Sequence, residues 1–291
     1  MRPIPVVATI REAYTFAVTH LGGIIGLIWV PMLLLTVAQF FTLHRYYNDF
    51  IDFLATNDEA RMGPSLLMMM GFIVAALLLY AVIFVAVVQL VQGTRAGGAI
   101  AHFAFGPPEW RMFRAFAALA GLVLLIALTV TLGVTLLSSL AGTVVPVAAT
   151  AANGVAVLSL VVICMALAAR FLLLLPAISV NEGEPVLRRA WALSHGNFWR
   201  LLAVLAGIFG PILLLLVVLE TVLTGRTAVP AGAAEQVQLL AGIMRAREVL
   251  PLVSGLGFFV SPLVTGLFAS ASVSVWRALT GQGDGAPDAA V

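Results

Sequence analysis

Charged residues are scarce in this sequence, and lysine is absent. Of the 291 residues, 10% are charged and 62% are hydrophobic, and the mean hydropathy is +1.11. A soluble domain carries roughly 25% charged residues, so a chain this apolar could not cover its own surface in water. The composition therefore excludes a soluble globular protein and indicates that lipid is the solvent.

Clusters of basic residues are also missing. All 15 basic residues are arginines, a usage typical of GC-rich bacterial genomes, and the formal net charge is only +2. The arginines occur singly or in pairs at the ends of apolar segments. Because nucleic-acid-binding proteins present a clustered basic patch, we expect no nucleic-acid partner.

Cysteine and the usual catalytic motifs are equally rare. The single cysteine, Cys164, excludes an intrachain disulfide and a multi-cysteine metal site. It lies inside an apolar run, where we expect a small buried residue. The sequence has no GxSxG, HExxH or Walker motif and no GxGxxG after a strand. The loops are too short for a soluble catalytic domain, so we expect no cofactor, no metal site and no enzyme.

Long apolar runs are what the sequence has in abundance. Six are long enough to cross a bilayer, which requires roughly 20 apolar residues. They cover residues 21–43, 66–91, a third run that ends near 140, 155–175, 201–223 and 250–276. Pro31 and Pro211 fall inside the first and fifth runs, where a proline kinks a membrane helix without ending it. The predicted fold is all-α, with a six-span membrane domain at 9–279 between an N-terminal segment, 1–8, and a disordered tail, 280–291.

The segments around these runs give further predictions of local structure. A capping-box pattern predicts that a helix in the membrane interface starts at Thr9. Residues 44–64 are predicted to form a solvated acidic loop, and residues 225–247 a mixed loop with a short helix. The small residues at 269–274 suit close packing against another helix. The Gly22–Gly26 spacing permits the same, although chance explains that spacing equally well.

The distribution of arginines predicts the orientation of the chain. With both termini in the cytoplasm, ten arginines lie in the inner segments and five in the outer loops. Positively charged residues concentrate on the cytoplasmic side of membrane proteins. We therefore expect a multi-pass protein of the bacterial inner membrane with both termini inside.

An internal repeat is visible in the sequence. Residues 10–14 (IREAY) match 187–191 (LRRAW), and residues 31–35 (PMLLL) match 211–215 (PILLL). A weaker middle copy starts near Glu109. The repeats predict three units, each an interfacial helix followed by two spans. Such repeats occur in transporters with a site at the repeat interface, and they also arise by duplication in proteins that only build a bundle.

Most of the unusual chemistry lies between Arg170 and Arg200. Arg170 sits inside the fourth apolar run, and an ionisable residue in a span suggests a functional site. The alternative is that its side chain extends to the headgroups from a position near the membrane edge. If Arg170 is deeper, a carboxylate should pair with it, and Glu182 and Glu184 are the nearest in sequence.

The polar residues after Arg170 allow two interpretations. Asn181 to Pro185 fits the start of a helix, with Asn181 as the cap and Glu184 at the capping-box position. Two close carboxylates could instead perform acid–base chemistry. Three histidines are predicted at the junctions of the repeats, where they form either a shared site or interfacial hydrogen bonds: His20, His102 and His195. The candidate site for a lipid headgroup comprises Arg170, Glu182, Glu184 and His195, and the expected interfacial anchors are Trp110, Trp191, Phe198 and Trp199.

These residues also carry a family resemblance. Arg170 on a span is followed by Pro176-Ala177, Glu182, Arg188-Arg189-Ala190-Trp191 and Gly196-Asn197-Phe198-Trp199-Arg200. The pattern resembles the membrane domain associated with glycerophosphoryl diester phosphodiesterases and the related YciC-like bacterial inner-membrane proteins. Ala190 replaces the serine usual in that family, so any role of the hydroxyl is in doubt. The resemblance implies a multi-span inner-membrane protein, and we expect no catalytic barrel of the kind that hydrolyses glycerophosphodiesters in the phosphodiesterase members.

The predicted function follows from this architecture. We expect a non-enzymatic integral membrane protein that acts as an interaction or lipid-proximal scaffold module, with the bilayer, a phospholipid ligand or a membrane-protein partner. The first alternative is a small permease or lipid transporter with a site at the repeat interface, and a weaker one is an intramembrane enzyme acting on lipid headgroups. Few polar groups lie deep in the runs, and this disfavours a hydrophilic substrate: Thr129, Thr131, Thr135 and Ser159.

Overall fold

The computed structural model describes residues 3–56, 58, 60, 62–94, 105–142, 146–182, 185–224 and 235–281. Within these residues the chain forms helices and no strands. The α-helices are α1 (Val6–Thr19), α2 (Leu21–Thr56), α3 (Met62–Val91), α4 (Pro107–Gly142), α5 (Pro146–Leu167), α6 (Leu175–Asn181), α7 (Val186–Ser194), α8 (Phe198–Thr224) and α9 (Glu235–Thr280). A π-helical turn, Ala168–Leu172, connects α5 to α6.

Six helical segments are long and apolar enough to cross a membrane. They are Leu21–Thr56, Met62–Val91, Pro107–Gly133, Val157–Asn181, Phe198–Leu219 and Val237–Thr280. The predicted all-α fold with six spans is therefore confirmed, and the chain is a multi-pass membrane protein. Pro31 and Pro211 lie inside the continuous helices α2 and α8, so neither proline ends its span. Short helices precede α2 and α8, whereas α4 is continuous from Pro107; the three-unit repeat stays a prediction.

Two helices extend further than predicted. The prediction of an acidic loop from residue 44 is wrong, because α2 continues to Thr56. Its C-terminal part is held by contacts at helical spacing: Tyr46 stacks on Phe50 at 5.8 Å, and Arg45 pairs with Asp49 at 3.5 Å. The Asp49 carboxylate also accepts a hydrogen bond from Ser65 at the start of α3.

The second extended helix is α9, which has 46 residues and runs through Pro251 and Pro262. At 1.5 Å per residue it is about 69 Å long, more than twice the thickness of the hydrocarbon layer. The short helix predicted around residues 234–244 is therefore the first part of α9, and the chain does not break before the sixth span.

The start of α1 also differs from its prediction. The helix begins at Val6, three residues before the proposed cap Thr9. The backbone N–H of Thr9 donates to the carbonyl of Pro5 at 2.9 Å, so Thr9 already lies within the helix. Its side chain is buried. Pro5 can precede the first turn because its missing N–H would have no helical partner there.

The core lies where α1, α2, α3, α6, α8 and α9 meet. Gly266 of α9 approaches α1 so closely that a Cβ atom there would lie 3.3 Å from Ala17 Cβ. Gly207 of α8 faces Ile10 of α1, and the Tyr14 hydroxyl donates to the Ile208 carbonyl at 3.2 Å. No atom lies within 4 Å of a Cβ built at Gly22 or Gly26. Close packing therefore occurs at Gly207 and Gly266, and not at the pair that the sequence suggested.

The small residues near the end of α9 pack as predicted. Ala269, Ser270, Ala271 and Ser272 are all buried. They allow α9 to lie close to α6, whose residues from Leu175 to Ser179 are also buried. The contact between α6 and α9 fixes the end of the helix bundle at which the candidate site lies.

Candidate functional site

A π-helical turn sets the position of Arg170. The turn interrupts the span Val157–Asn181 at residues Ala168–Leu172, and its one extra residue per turn changes which side chains face the bundle. Ala169 and Phe171 are buried, while Arg170 between them is half-buried. The guanidinium group is thus held at the surface of the bundle rather than in its core.

Two aromatic rings hold the Arg170 guanidinium group. Its Cζ atom lies 4.2 Å from the centre of the Trp191 ring and 5.7 Å from that of Phe198. The Trp191 ring in turn stacks on Phe171, with 5.8 Å between ring centres. A guanidinium group over the face of an indole ring gains a cation–π interaction and keeps its N–H edge available for an acceptor. Arg170 is therefore oriented by α7 and α8 together.

The turn between α7 and α8 places a helix start beside Arg170. Gly196 adopts a φ of 79°, in the left-handed region that favours glycine. The buried residue Asn197 donates its N–H to the Ser194 carbonyl, and its own carbonyl accepts the first helical hydrogen bond of α8 from Leu201 at 2.9 Å. The N–H groups of residues 198–200 precede that bond and have no carbonyl partner within α8. These N–H groups and the positive end of the helix dipole favour an anion.

Glu182 takes no part in the arrangement around Arg170. Its two carboxylate oxygens accept hydrogen bonds from Trp276 Nε1 at 3.0 Å and from Arg189 Nε at 2.7 Å. The carboxylate therefore joins the end of α6 to α7 and to α9. The structure gives Arg170 aromatic partners and gives Glu182 an arginine and a tryptophan. Glu184 lies outside the described residues.

The proposed capping role of Asn181 is wrong. Asn181 is the last residue of α6, and its side-chain amide donates to the Ala177 carbonyl at 2.8 Å. The helix α7 starts five residues later, at Val186, directly after Pro185. Asn181 thus bonds to a carbonyl of its own helix, one turn earlier, instead of to an N–H at the start of the next helix.

The histidines are found in separate local environments. His20 stacks on Phe16 with 4.4 Å between ring centres and lies 2.9 Å from the Thr19 hydroxyl. His195 is exposed at the end of α7. His102 lies outside the described residues. Among the described residues, no group of three or more His, Cys, Asp or Glu side chains could hold a metal ion.

The predicted aromatic anchors are at least partly exposed, and three of the four lie in the first turn of a helix. Trp199 is the most exposed, at 76%, and follows Phe198 in the first turn of α8. Trp110, in the first turn of α4, stacks on Phe113 at 5.2 Å, and Trp191 is exposed on α7. Amphipathic rings at such positions are typical of the boundary between hydrocarbon and headgroups.

Sequence reasoning missed the buried hydrogen bonds that support this site. The Ser272 hydroxyl of α9 accepts the N–H of Ala177 at 3.2 Å, and Arg111 of α4 donates to the Ser179 carbonyl at 3.1 Å. The serines in the small-residue run of α9 were the available signal. The deep polar residues singled out instead face outward: Thr129 and Ser159 are exposed and donate to carbonyls of their own helices. Cys164 is partly exposed on α5, so its predicted burial is wrong.

Comparisons of the chain with protein-family models, with curated proteins and with solved structures found no match.

Proposed function

We propose that this membrane protein is a non-enzymatic, lipid-proximal scaffold that holds an anionic phospholipid by its phosphate at Arg170. The observation that carries this proposal is the Arg170 guanidinium group, fixed over Trp191 at 4.2 Å beside the first turn of α8. The proposal uses the resemblance to the phosphodiesterase-associated membrane domain for the membrane-spanning architecture alone, and not for the activity of the catalytic barrel. It places Arg170 at the cytoplasmic leaflet of the inner membrane.

The chemistry of the site suits a phosphodiester. A planar guanidinium group can donate two parallel hydrogen bonds to phosphate oxygens, and stacking on Trp191 fixes the plane in which they point. The N–H groups at the start of α8, which have no carbonyl partner within that helix, supply further donors. Phe198 in this first turn lies 5.7 Å from the Arg170 Cζ atom. The rings of Trp191 and Trp199 are exposed, and such rings are enriched where glycerol and headgroups meet.

The position of Glu182 supports a binding role over a catalytic one. Hydrolysis of a headgroup would require an acid or base beside the phosphate. Glu182, the predicted candidate, is instead engaged by Arg189 and Trp276. A carboxylate with both oxygens occupied by donors stabilises the helix junction and is poorly placed to move a proton.

Native mass spectrometry of the protein released from nanodiscs tests the proposal. With equal phosphatidylglycerol and phosphatidylcholine, the wild-type protein should retain one phosphatidylglycerol of unchanged mass. Arg170→Gln should lower the retained fraction about tenfold, because a hydrogen bond to a charged group contributes roughly 1.5–3 kcal/mol. Arg170→Lys should fall between the two, since an ammonium group keeps the charge but loses the planar fork.

The matched control is Arg188→Gln, which removes one positive charge from the exposed face of α7. It should leave lipid retention unchanged. Equal losses for Arg170→Gln and Arg188→Gln would reject a defined site and indicate general attraction of anionic lipid. Release of a headgroup during incubation would reject the non-enzymatic role.

A further inference from the structure

A cavity of about 420 Å³ lies between α2, α3, α8 and α9, apart from the Arg170 site. Helices α2 and α9 contribute most of its walls, and Tyr80 and Leu219 contribute from α3 and α8. Tyr80 lies eleven residues before the end of α3, which is about 16 Å along the helix. The cavity is thus at a depth where the surrounding solvent is hydrocarbon and not headgroups.

The cavity contains a buried hydroxyl without a partner. Ser254 is 9% exposed, and its Oγ atom has no hydrogen-bond partner among the described residues. A buried polar group left unpaired costs roughly 1–3 kcal/mol. A serine inside a helix can avoid this cost by bonding to a carbonyl one turn earlier. An unpaired Ser254 hydroxyl therefore indicates that something else in the cavity accepts its hydrogen bond.

Two neighbouring groups also lack a strong hydrogen-bond partner. Among the described residues, the Ser261 hydroxyl has one hydrogen-bond contact, to a weak acceptor, the Met32 sulfur, at 3.7 Å. Pro262 has no N–H to donate to the carbonyl of Phe258, which lines the cavity. Thr36, Gln39 and Tyr80 complete a lining with both donors and acceptors.

The rest of the lining limits the ligand to an uncharged one. Among the residues that the structure describes, the lining includes no Asp, Glu, Lys, Arg or His. A charge placed here would be buried in hydrocarbon without a counter-charge, which costs far more than one hydrogen bond returns. Apolar side chains such as Leu35 and Leu256 supply the remaining contacts, and the volume falls in the range of small-molecule sites.

The rim of the cavity faces the bilayer. Val253 is 50% exposed, and Gly257, one turn further along α9, is also exposed. No atom lies within 4 Å of a Cβ built at Gly257, so the space beside it is open. A ligand dissolved in the membrane can therefore reach the polar groups sideways, without crossing water.

We propose that this cavity binds an uncharged lipophilic molecule through a carbonyl or hydroxyl oxygen that accepts the Ser254 hydrogen bond, with its apolar chain leaving past Val253 and Gly257. This site goes beyond the proposed headgroup-binding function and does not depend on it. The two sites differ in depth, in charge and in the helices that form them.

Photolabelling tests the proposal on the full chain in nanodiscs. The probe is 2-dodecanone carrying a diazirine in its alkyl chain, and mass spectrometry of the digested protein locates the label. Labelling should fall on the cavity segments of α2 and α9. Unlabelled 2-dodecanone should compete at least about fivefold more strongly than dodecane, which lacks the acceptor, and more strongly than dodecanoate, which is charged.

Two variants and a control distinguish a defined binding site from nonspecific binding to an apolar surface. Ser254→Ala should weaken competition by 2-dodecanone about fivefold without loss of folded protein, because it removes an unpaired group. Gly257→Leu should abolish labelling by filling the rim. Ser159→Ala, which removes an exposed hydroxyl bonded to its own helix, should change neither result.

Equal competition by dodecane, or labelling unaffected by Gly257→Leu, would overturn the proposal in favour of nonspecific contact with lipid. Absence of labelling in α2 and α9 would overturn it in favour of a hydrated cavity. Because Arg170→Gln leaves this cavity intact, photolabelling in that variant distinguishes failure of this site from failure of the headgroup site.

Discussion

The hairpin of α4 and α5 and the contact of α6 with α9 are both strongly apolar, yet they face different surroundings. Of the most apolar 18 residues of α4, 11% are buried, against 39% for α9. Large side chains on the hairpin point to lipid, among them Leu124, Leu128, Leu132, Val157 and Val162. On α6 every residue from Leu175 to Ser179 is buried.

The two regions differ in residue size and in hydrogen bonding, and not in hydrophobicity. Lipid tails are as apolar as leucine, so burying more leucine gives two membrane helices little reason to associate. The α6–α9 contact uses small residues that allow close approach, and the Ser272 hydroxyl accepts an N–H from the other helix. On the hairpin, the hydroxyls of Thr129 and Ser159 bond only to their own helices. Packing in this protein is therefore specified by small and polar residues.

The largest effect is expected from a substitution that disrupts the close packing of α9. Gly266→Leu places a side chain where a Cβ already meets Ile24 Cδ1 at 2.6 Å and Ala17 Cβ at 3.3 Å. Ile24 can change rotamer, but Ala17 has no flexible atoms to move. We expect a loss of about 3 kcal/mol in the free energy of unfolding, which is at the upper end for overpacking. SDS-induced unfolding from mild detergent micelles, followed by tryptophan fluorescence, measures it.

Gly121→Leu on α4 is the matched control for that change. Gly121 is exposed and has no atom within 4 Å of its Cβ position. Stability should stay within about 0.5 kcal/mol of wild type, as for substitutions that touch no packed feature. If both leucine variants unfold equally early, α4 is packed against a surface of its own, and the contrast between the close packing of α9 and the lipid-facing hairpin fails.

The second effect is on the polar junction at the end of α9. Trp276→Phe keeps an aromatic ring but removes the N–H that donates to Glu182 at 3.0 Å. The Glu182 carboxylate would keep Arg189 as its remaining partner. We expect a loss of about 2 kcal/mol, since hydrogen bonds to charged groups contribute roughly 1.5–3 kcal/mol. The measurement is the SDS unfolding midpoint by circular dichroism.

Trp199→Phe provides the comparison for Trp276→Phe. Trp199 is 76% exposed at the membrane boundary, so its loss should leave the unfolding midpoint unchanged. An equal shift for both tryptophans would mean that the Trp276–Glu182 hydrogen bond contributes nothing specific.

Much of the fold could be predicted because length and hydrophobicity determine a membrane span. The six spans follow from six apolar runs, and the run at residues 269–274 correctly predicted a close helix contact. The C-terminal part of α2 was missed because its acidic residues resemble a loop, whereas aromatic stacking and the Arg45–Asp49 pair keep it helical.

The candidate site was harder to predict because its geometry depends on tertiary contacts. The sequence identified Arg170 and the aromatic residues around it. It could not give the π-helical turn, which decides that Arg170 faces Trp191. Glu182 was the expected carboxylate because it is near Arg170 in sequence, but its partners are Arg189 and Trp276, the second of which is 94 residues away. Proximity to Arg170 along the chain did not identify either of them.

The smallest effect concerns a single hydrogen bond. In α6 the N–H of Ala177 lies in the first turn, where no helical carbonyl is available, and Ser272 accepts it at 3.2 Å. Ser272→Ala leaves this buried N–H unpaired and should cost about 1 kcal/mol in SDS unfolding. Ser159 is exposed on α5, and its hydroxyl donates to a carbonyl of its own helix. Ser159→Ala should therefore leave the free energy of unfolding nearly unchanged. A larger effect at Ser159 than at Ser272 would mean that hydroxyls stabilise this protein within helices rather than between them, contrary to the difference between the two regions.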